Sequence, residues 1–297
     1  MVGVDCGLVL FATDRGITPA AAAVIAETHG FGSFAVSEHT HMPVHREAVH
    51  PATGDTSLPD DRYKRTLDPW VSLATAAAVT TRIRLSTTVA LPVEHDPISL
   101  AKSIATLDFL SGGRVSVGAG FGWNTDELRN HGVPPGRRRI MLREYLDAMR
   151  ALWTNEEASY DGEFVKFSPS WAWPKPVQRH VPIRIGAAGT EKNFVWIARN
   201  ADGWITTPRD TDLVEPIGRL HDAWAAAGRR GAPQIAALDM DAEPSPEKLT
   251  HRAQLGVTEV LYVFPDRPEA KAAVQVGELA GKLAAIGTFP TVMAPVS

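Results

Sequence analysis

The chain has 297 residues, 44% of them hydrophobic, which is enough for a large core folded as one unit. Thirty Lys and Arg against 34 Asp and Glu leave a formal charge of −4, so there is no basic excess of the kind that draws a protein to nucleic acid or an anionic membrane. Cys6 is the one cysteine, which excludes an internal disulfide and fits a reducing cytoplasm. The first segment, MVGVDCGLVLFATDRG, is broken by Asp5 and lacks the basic lead and small-residue cleavage site of a signal peptide. No window reaches the roughly 18 apolar residues that cross a bilayer, and a soluble cytoplasmic protein is expected. From there, short β-branched runs alternate with amphipathic segments. Strands are predicted at 6–12, 33–39, 83–91, 114–120, 182–188, 203–208, 235–240 and 259–264. Helices are predicted at Thr18–His29, Asp68–Thr80, Asp96–Leu110, Arg138–Trp153, Glu191–Asn200, Thr211–Ala227, Ser245–Leu255 and Pro268–Ile286. The first three open with Thr-Pro or Asp-Pro, a cap followed by a first-turn proline, and the third closes at Gly112-Gly113.

Strand then helix, repeated eight times, implies parallel pairing through helical crossovers. The expected fold is α/β, a (β/α)8 TIM barrel spanning 1–297 as one domain, with a doubly wound open sheet as the structural rival. Two stretches break the rhythm: Thr40–Arg65, rich in His, Pro and Asp, and an insertion before strand five at 154–181, too rich in Pro and Trp for another βα unit. Loops of that length inside a compact fold are usually lids or binding loops.

Reactive groups of such a barrel gather at the carboxyl ends of its strands. Strand two ends in Ser37-Glu38-His39, strand three in Ser86-Thr87-Thr88-Val89, strand four in Gly118-Ala119-Gly120-Phe121-Gly122-Trp123 and strand five in Gly186-Ala187-Ala188-Gly189-Thr190. Glycines on alternate residues 118, 120 and 122 remove side chains where a flat ring needs close approach to the backbone; the plainer reading is a tight turn. Gly186–Thr190, just ahead of a helix, suits an anion cradle, although most glycine-rich helix starts bind nothing. Two such sites on neighbouring strands, without a dinucleotide fingerprint after strand one, favour a mononucleotide-type cofactor. Glu38-His39 offers a proton donor or hydrogen-bonding pair at the mouth, or a structural His inside the barrel. A metal on His39, His41 and His45 needs further ligands on later strands, where Gly, Ala, Thr and Pro stand instead, so no metal is expected. The Arg137–Arg139 run is usually a solvated face; the alternative places one arginine, taken as Arg138, on a cofactor phosphate or acidic tail. Trp171 and Trp173 suit an apolar lid or a dimer surface equally well.

Several segments together resemble the bacterial luciferase-like monooxygenase superfamily, and within it the actinobacterial branch dependent on coenzyme F420. They are HGFGSFAVSEH (29–39), the run from Thr80 to Leu128 that contains TLDFLSGGRVSVGAGFGWNTDE, REYLDAMRALW (143–153), YDGEFVKF (160–167), PKPVQ (174–178) and PIRIGAAGTEKNFVWIARNADGW (182–204). The resemblance implies a (β/α)8 barrel, a homodimer, and a deazaflavin or FMN ring over the mouth between strands two and four. It also implies that Glu38 and His39 stand beside the ring. Thr88-Val89 match a non-prolyl cis peptide that buttresses the ring, with Thr87, Gly120, Gly122 and Trp123 around it, and Gly186, Ala187, Ala188, Gly189 and Thr190 wrap the phosphate. Sugar-phosphate-oxidising relatives carry an acid where Trp123 stands here, which argues against that substrate and leaves His39 as the obvious proton donor. Ala also stands at 187–188 where relatives often have a second Gly.

The expected activity is hydride transfer between F420 and a small organic substrate with an electrophilic carbon. The alternative is an FMN-dependent monooxygenase using dioxygen. A non-catalytic cofactor-binding barrel and a metal hydrolase rank lower. The substrate is selected by the loops 40–65 and 154–181, the stretches that the resemblance covers least.

Overall fold

The computed structural model describes residues 4–287. Its first helices begin where local chemistry directs them. Thr18, Asp68 and Asp96 accept hydrogen bonds from the amides of Ala21, Val71 and Ser99, and a proline at the first helical position supplies a fixed φ without an orphan N–H. At the end of the third helix Gly112 takes φ 71°, the left-handed stop.

In chain order the elements are β1 (Asp5–Leu10), α1 (Pro19–Thr28), β2 (Ser33–Val36), α2 (Pro69–Val79), β3 (Arg84–Thr87), α3 (Pro97–Ser111) and β4 (Val115–Gly120). Helices α4 (Thr125–Asn130) and α5 (Arg138–Thr154) come next, then strands β5 (Ala158–Asp161) and β6 (Lys166–Ser170). The remainder is β7 (Ile183–Gly186), α6 (Glu191–Asn200), β8 (Gly203–Ile205), α7 (Val214–Ala226), β9 (Gln234–Asp239), α8 (Pro246–Gln254), β10 (Glu259–Phe264) and α9 (Glu269–Ala285). Eight parallel strands close into a barrel in the order β1-β10-β9-β8-β7-β4-β3-β2, so the (β/α)8 architecture is the one the chain adopts.

Three details depart from the expected elements. Most strands are shorter than their apolar runs: β2 stops at Val36 and β3 at Thr87, because the backbone leaves the ladder at the mouth. There Glu38 N–H donates to Val89 O (3.2 Å), Thr88 N–H to Val36 O (2.8 Å), and the Thr88–Val89 peptide is cis. Helix α4 was not expected; Asn124 caps it by accepting from the amides of Asp126 and Glu127. The insertion is not all loop, since β5 and β6 form an antiparallel hairpin outside the barrel. It leaves and rejoins at neighbouring strands, with β4 and β7 in register from Val117↔Ile183 to Gly120↔Gly186. Its return is fixed by Asp108, fully buried on α3, which accepts from Gln178 Nε2 (2.7 Å) and from the Val177 amide (2.7 Å).

The strands' amino ends hold a buried ion pair between Arg184 and Glu259, with the Ser33 hydroxyl donating to Glu259. The guanidinium draws the Glu259 carboxyl below its usual range against the opposing effect of burial. The carboxyl ends are left to the loops, where the candidate residues lie. Among the described residues no helix is long and apolar enough to cross a membrane.

Candidate functional site

His39 is buried at the carboxyl end of β2. Its Nδ1 lies 2.8 Å from Oε2 of Glu127, itself fully buried on α4. A carboxylate accepts only, so Nδ1 carries the proton and Nε2 is left without a hydrogen bond among the described residues. Aromatic rings wall this imidazole: Tyr63 at 5.5 Å, Trp123 at 5.7 Å edge-on and Phe11 at 6.4 Å, centroid to centroid. His50 packs edge-on against Trp123 (4.5 Å) and Tyr63 (5.0 Å). Burial, with the nearby His39 and Arg209, depresses the His50 pKa, and burial raises that of Tyr63. Tyr63 and His50 come from the long loop after β2, which the amides of Glu47 and Ala48 tie to Asp126 (2.8 and 2.9 Å). That loop covers part of the mouth.

Glu38 points elsewhere. Its carboxylate accepts from the Leu91 amide and pairs with His95 Nε2 at 2.7 Å, so it braces the turn after β3 and shares no hydrogen bond with His39. The adjacent pair in the sequence is therefore split between two tasks.

The glycines make room for the chain's own packing. A Cβ at Gly118 would meet Thr87 O at 2.0 Å; one at Gly120 would meet a Val89 methyl at 2.6 Å. Gly186 makes room for the other Val89 methyl, which a Cβ there would meet at 2.5 Å, and Gly122 has φ 74° against Leu128. Val89 thus sits between two glycine strands, packed like Leu238 against the cluster of Ile205, Ala236 and Leu261. Thr87 Oγ1 bonds to the Gly118 backbone on both sides (2.8 and 3.0 Å), while the buried Thr88 hydroxyl has no partner among the described residues.

At the candidate cradle the backbone is partly engaged. Gly189 N–H donates to Asp210 (3.0 Å), Thr190 N–H to Ala188 O (2.8 Å), and Thr190 Oγ1 accepts from Asn193 N–H as the cap of α6. The amides of Ala188, Glu191 and Lys192 donate to nothing among the described residues. Arg138 turns to the Pro135 carbonyl. The arginine beside the cradle is Arg139, which stacks over Phe121 at 4.1 Å and bonds Asn193, whose Nδ2 donates to Ala188 O (2.8 Å). Its Nη1 is buried without a partner among the described residues. From the Arg137–Arg139 run sequence reasoning took Arg138 rather than Arg139, and it missed Glu127, His50 and Tyr63; an acid soon after a glycine run was the one available sign, and that was for Glu127.

His41 and His45 are exposed, away from His39, and among the described residues no three His, Cys, Asp or Glu side chains converge as a metal site. A cavity of about 660 Å³ opens beside the mouth between the segments after β9 and β10 and the inner face of α9. Its lining holds none of the expected site residues, and Arg62, on its wall, stands over Phe11 at 5.5 Å.

The luciferase-like monooxygenase family matches residues 19–242, three-quarters of the chain. The chain belongs to that family. An uncharacterized protein of Mycobacterium tuberculosis (strain ATCC 25618 / H37Rv) is 74% identical over 278 residues, covering 94% of this chain and 98% of its own. An F420-dependent glucose-6-phosphate dehydrogenase of Nakamurella multipartita is 33% identical over 221 residues, 70% of this chain and 58% of that protein. Among solved structures, a monooxygenase from Streptomyces bottropensis superposes with TM-score 0.75 at 21% identity, covering 95% of this chain and 99% of the other. An F420-dependent secondary alcohol dehydrogenase, solved with an F420–acetone adduct, gives 0.74 at 18%, covering 96% and 99%. These two share the barrel fold with this family member.

Proposed function

We propose that this chain is an oxidoreductase that transfers hydride between coenzyme F420 and a small organic substrate. The observation that carries the reading is His39: a buried imidazole at the barrel mouth, held by Glu127 at 2.8 Å with Nε2 unengaged. The F420-dependent relative at 33% identity supports the choice of cofactor over FMN.

The chain's own atoms fit such a group. The unengaged amides of Ala188, Glu191 and Lys192 and the unpaired Arg139 Nη1 suit an anionic tail. Val89 and the Thr88 hydroxyl are the candidates to back a flat ring. When bound, the deazaflavin supplies the hydride chemistry. Glu127 fixes the tautomer of His39, and Nε2 takes or returns the proton that accompanies hydride transfer to a carbonyl-type carbon. Phe11, Tyr63, His50 and Trp123 exclude water from the imidazole and bound the substrate's space. Trp123 offers no carboxylate, which speaks against a sugar phosphate as substrate.

The test is titration of the purified protein with F420 and, separately, with FMN, following ring fluorescence. Saturable quenching by F420 alone is expected; tight FMN binding with no response to F420 would reverse the assignment.

A further inference from the structure

Beneath His39 lies a group of ionisable side chains of which the proposed hydride transfer uses only Glu127. Glu127 comes from α4, Glu94 from the turn Pro92–Glu94, and Glu38 from the end of β2; all three are at most 6% exposed. Glu38 is neutralised locally by the Leu91 amide and His95. The Glu94 and Glu127 carboxylates converge on one hydroxyl, that of Thr40, and among the described residues no Lys or Arg forms an ion pair with either. Their basic neighbours are imidazoles: His39 on Glu127, and His131 at 3.8 Å from Glu94. Glu94 Oε1 is buried with no hydrogen-bond partner among the described residues.

Thr40 stands at the centre. Its amide donates to Glu127 Oε1 (2.9 Å), and its hydroxyl lies 3.1 Å from Glu94 Oε2, 3.4 Å from Glu127 Oε1, 2.7 Å from His131 Nε2 and 3.0 Å from His41 Nδ1. His41 is exposed and Asn130 holds its other nitrogen at 2.8 Å. The chain of contacts thus runs from under His39 to the surface.

Two buried carboxylates that meet on one hydroxyl, with no Lys or Arg beside them, oppose each other's ionisation. We infer that Glu94 and Glu127 share one proton, and that Thr40 and His131 connect this proton to solvent, so that the pair sets the charge beneath His39. Burial and the adjoining Glu127 push the Glu94 carboxyl up to about 9, so at neutral pH the shared proton resides on Glu94. Burial and His41 lower the His131 pKa, leaving a neutral imidazole beside the Thr40 hydroxyl. Burial lowers and Glu38 raises His95, with Glu38 prevailing, so the third carboxylate faces its own cation-forming partner. Glu94, Glu127, Thr40 and His131 act through His39 and are positioning residues. The assignment of a purpose to the pair rests on His39 handling a proton as proposed above.

The test uses the full chain without cofactor. Infrared spectra of the wild type at neutral pH are expected to contain the carbonyl stretch of a buried protonated carboxyl group. That band should fade in alkali and be absent from Glu94→Gln. The His39 Nδ1 resonance, followed by nitrogen NMR, should show an alkaline step in the wild type that Glu94→Gln lacks. In Thr40→Val, deuterium exchange of the carboxyl band should slow severalfold. A wild type with no such band at neutral pH, or a His39 step that survives in Glu94→Gln, overturns the shared proton; unchanged exchange in Thr40→Val overturns the path. The wild-type measurements decide the first point even if a variant fails to fold. F420 titration of the same samples separates the two ideas: a shared proton without F420 binding sinks the cofactor assignment and leaves the pair standing.

Discussion

Val89 fills space that two different strands leave by ending in glycine, and this makes the region beneath the mouth unusually sensitive to a single methyl group. Gly120→Ala and Gly186→Ala each place a Cβ within 2.6 Å of a Val89 methyl, and overpacking of this kind costs about 1–3 kcal/mol. Trimming the valine removes the clash, so Gly120→Ala with Val89→Ala is expected to recover much of the loss, a coupling that urea denaturation of the four proteins measures. At His39 the expectation concerns rate. His39→Gln should lower kcat of F420-linked turnover by about 10²–10⁴-fold, the usual worth of a positioned proton donor, while F420 affinity holds. An equal kcat in the variant removes His39 from the chemistry. What the sequence conceals at this scale is direction. Glu38 and His39 are neighbours in the chain but bond His95 and Glu127 respectively, and Arg138 and Arg139 diverge in the same way, one to Pro135 and the other to Asn193. Adjacent letters do not say which way side chains turn where the backbone leaves its strand or enters a helix.

Secondary elements with capping chemistry were legible. Thr18, Asp68, Asp96 and Ser245 are N-caps where a cap residue stands before proline, and Gly112 ends α3. Helix α4 and the β5–β6 hairpin were not legible, since a six-residue helix has little room for periodicity and the hairpin residues are mostly half-buried or exposed, without an apolar face to mark them. The entry to α6 combines the two cases: its glycine run was visible, whereas the Asp210 carboxylate on Gly189 and the Arg139 that adjoins it arrive from distant segments. If this entry grips an anionic cofactor tail, Arg139→Met should weaken F420 binding about 10–100-fold, the loss of a hydrogen bond to a charged group. A deazaflavin lacking the tail should bind the variant and the wild type alike. Fluorescence titration with both ligands checks this, and equal losses for the two would assign Arg139 to packing on Phe121 instead.

For the whole molecule, alternation of strand and helix was enough to foresee a closed parallel barrel, because each crossover permits few arrangements. The contact of Asp108 with Gln178 across the insertion was not foreseeable, although both lie in segments that carry the family resemblance. Global stability offers a test of the carboxyl pair that needs neither cofactor nor substrate. An unfolded glutamate releases its proton near 4.5, whereas folded Glu94 keeps it to about 9, so between these limits the folded state binds the extra proton. Stability from this site is therefore full in acid and is lost as pH rises through that window. Asp239 has the opposite sign: Lys248 and Arg252 hold its carboxyl low despite burial, so its contribution is gained as pH climbs out of the acid range. Glu94→Gln cannot titrate, and groups unaffected by the substitution cancel when variant and wild type are compared. The difference in Tm should accordingly move steadily in the variant's favour as pH is raised from acid to alkaline conditions, measured by calorimetry at closely spaced pH values. Parallel curves across the range would mean that Glu94 ionises normally in the folded protein, and the shared proton would be lost with it.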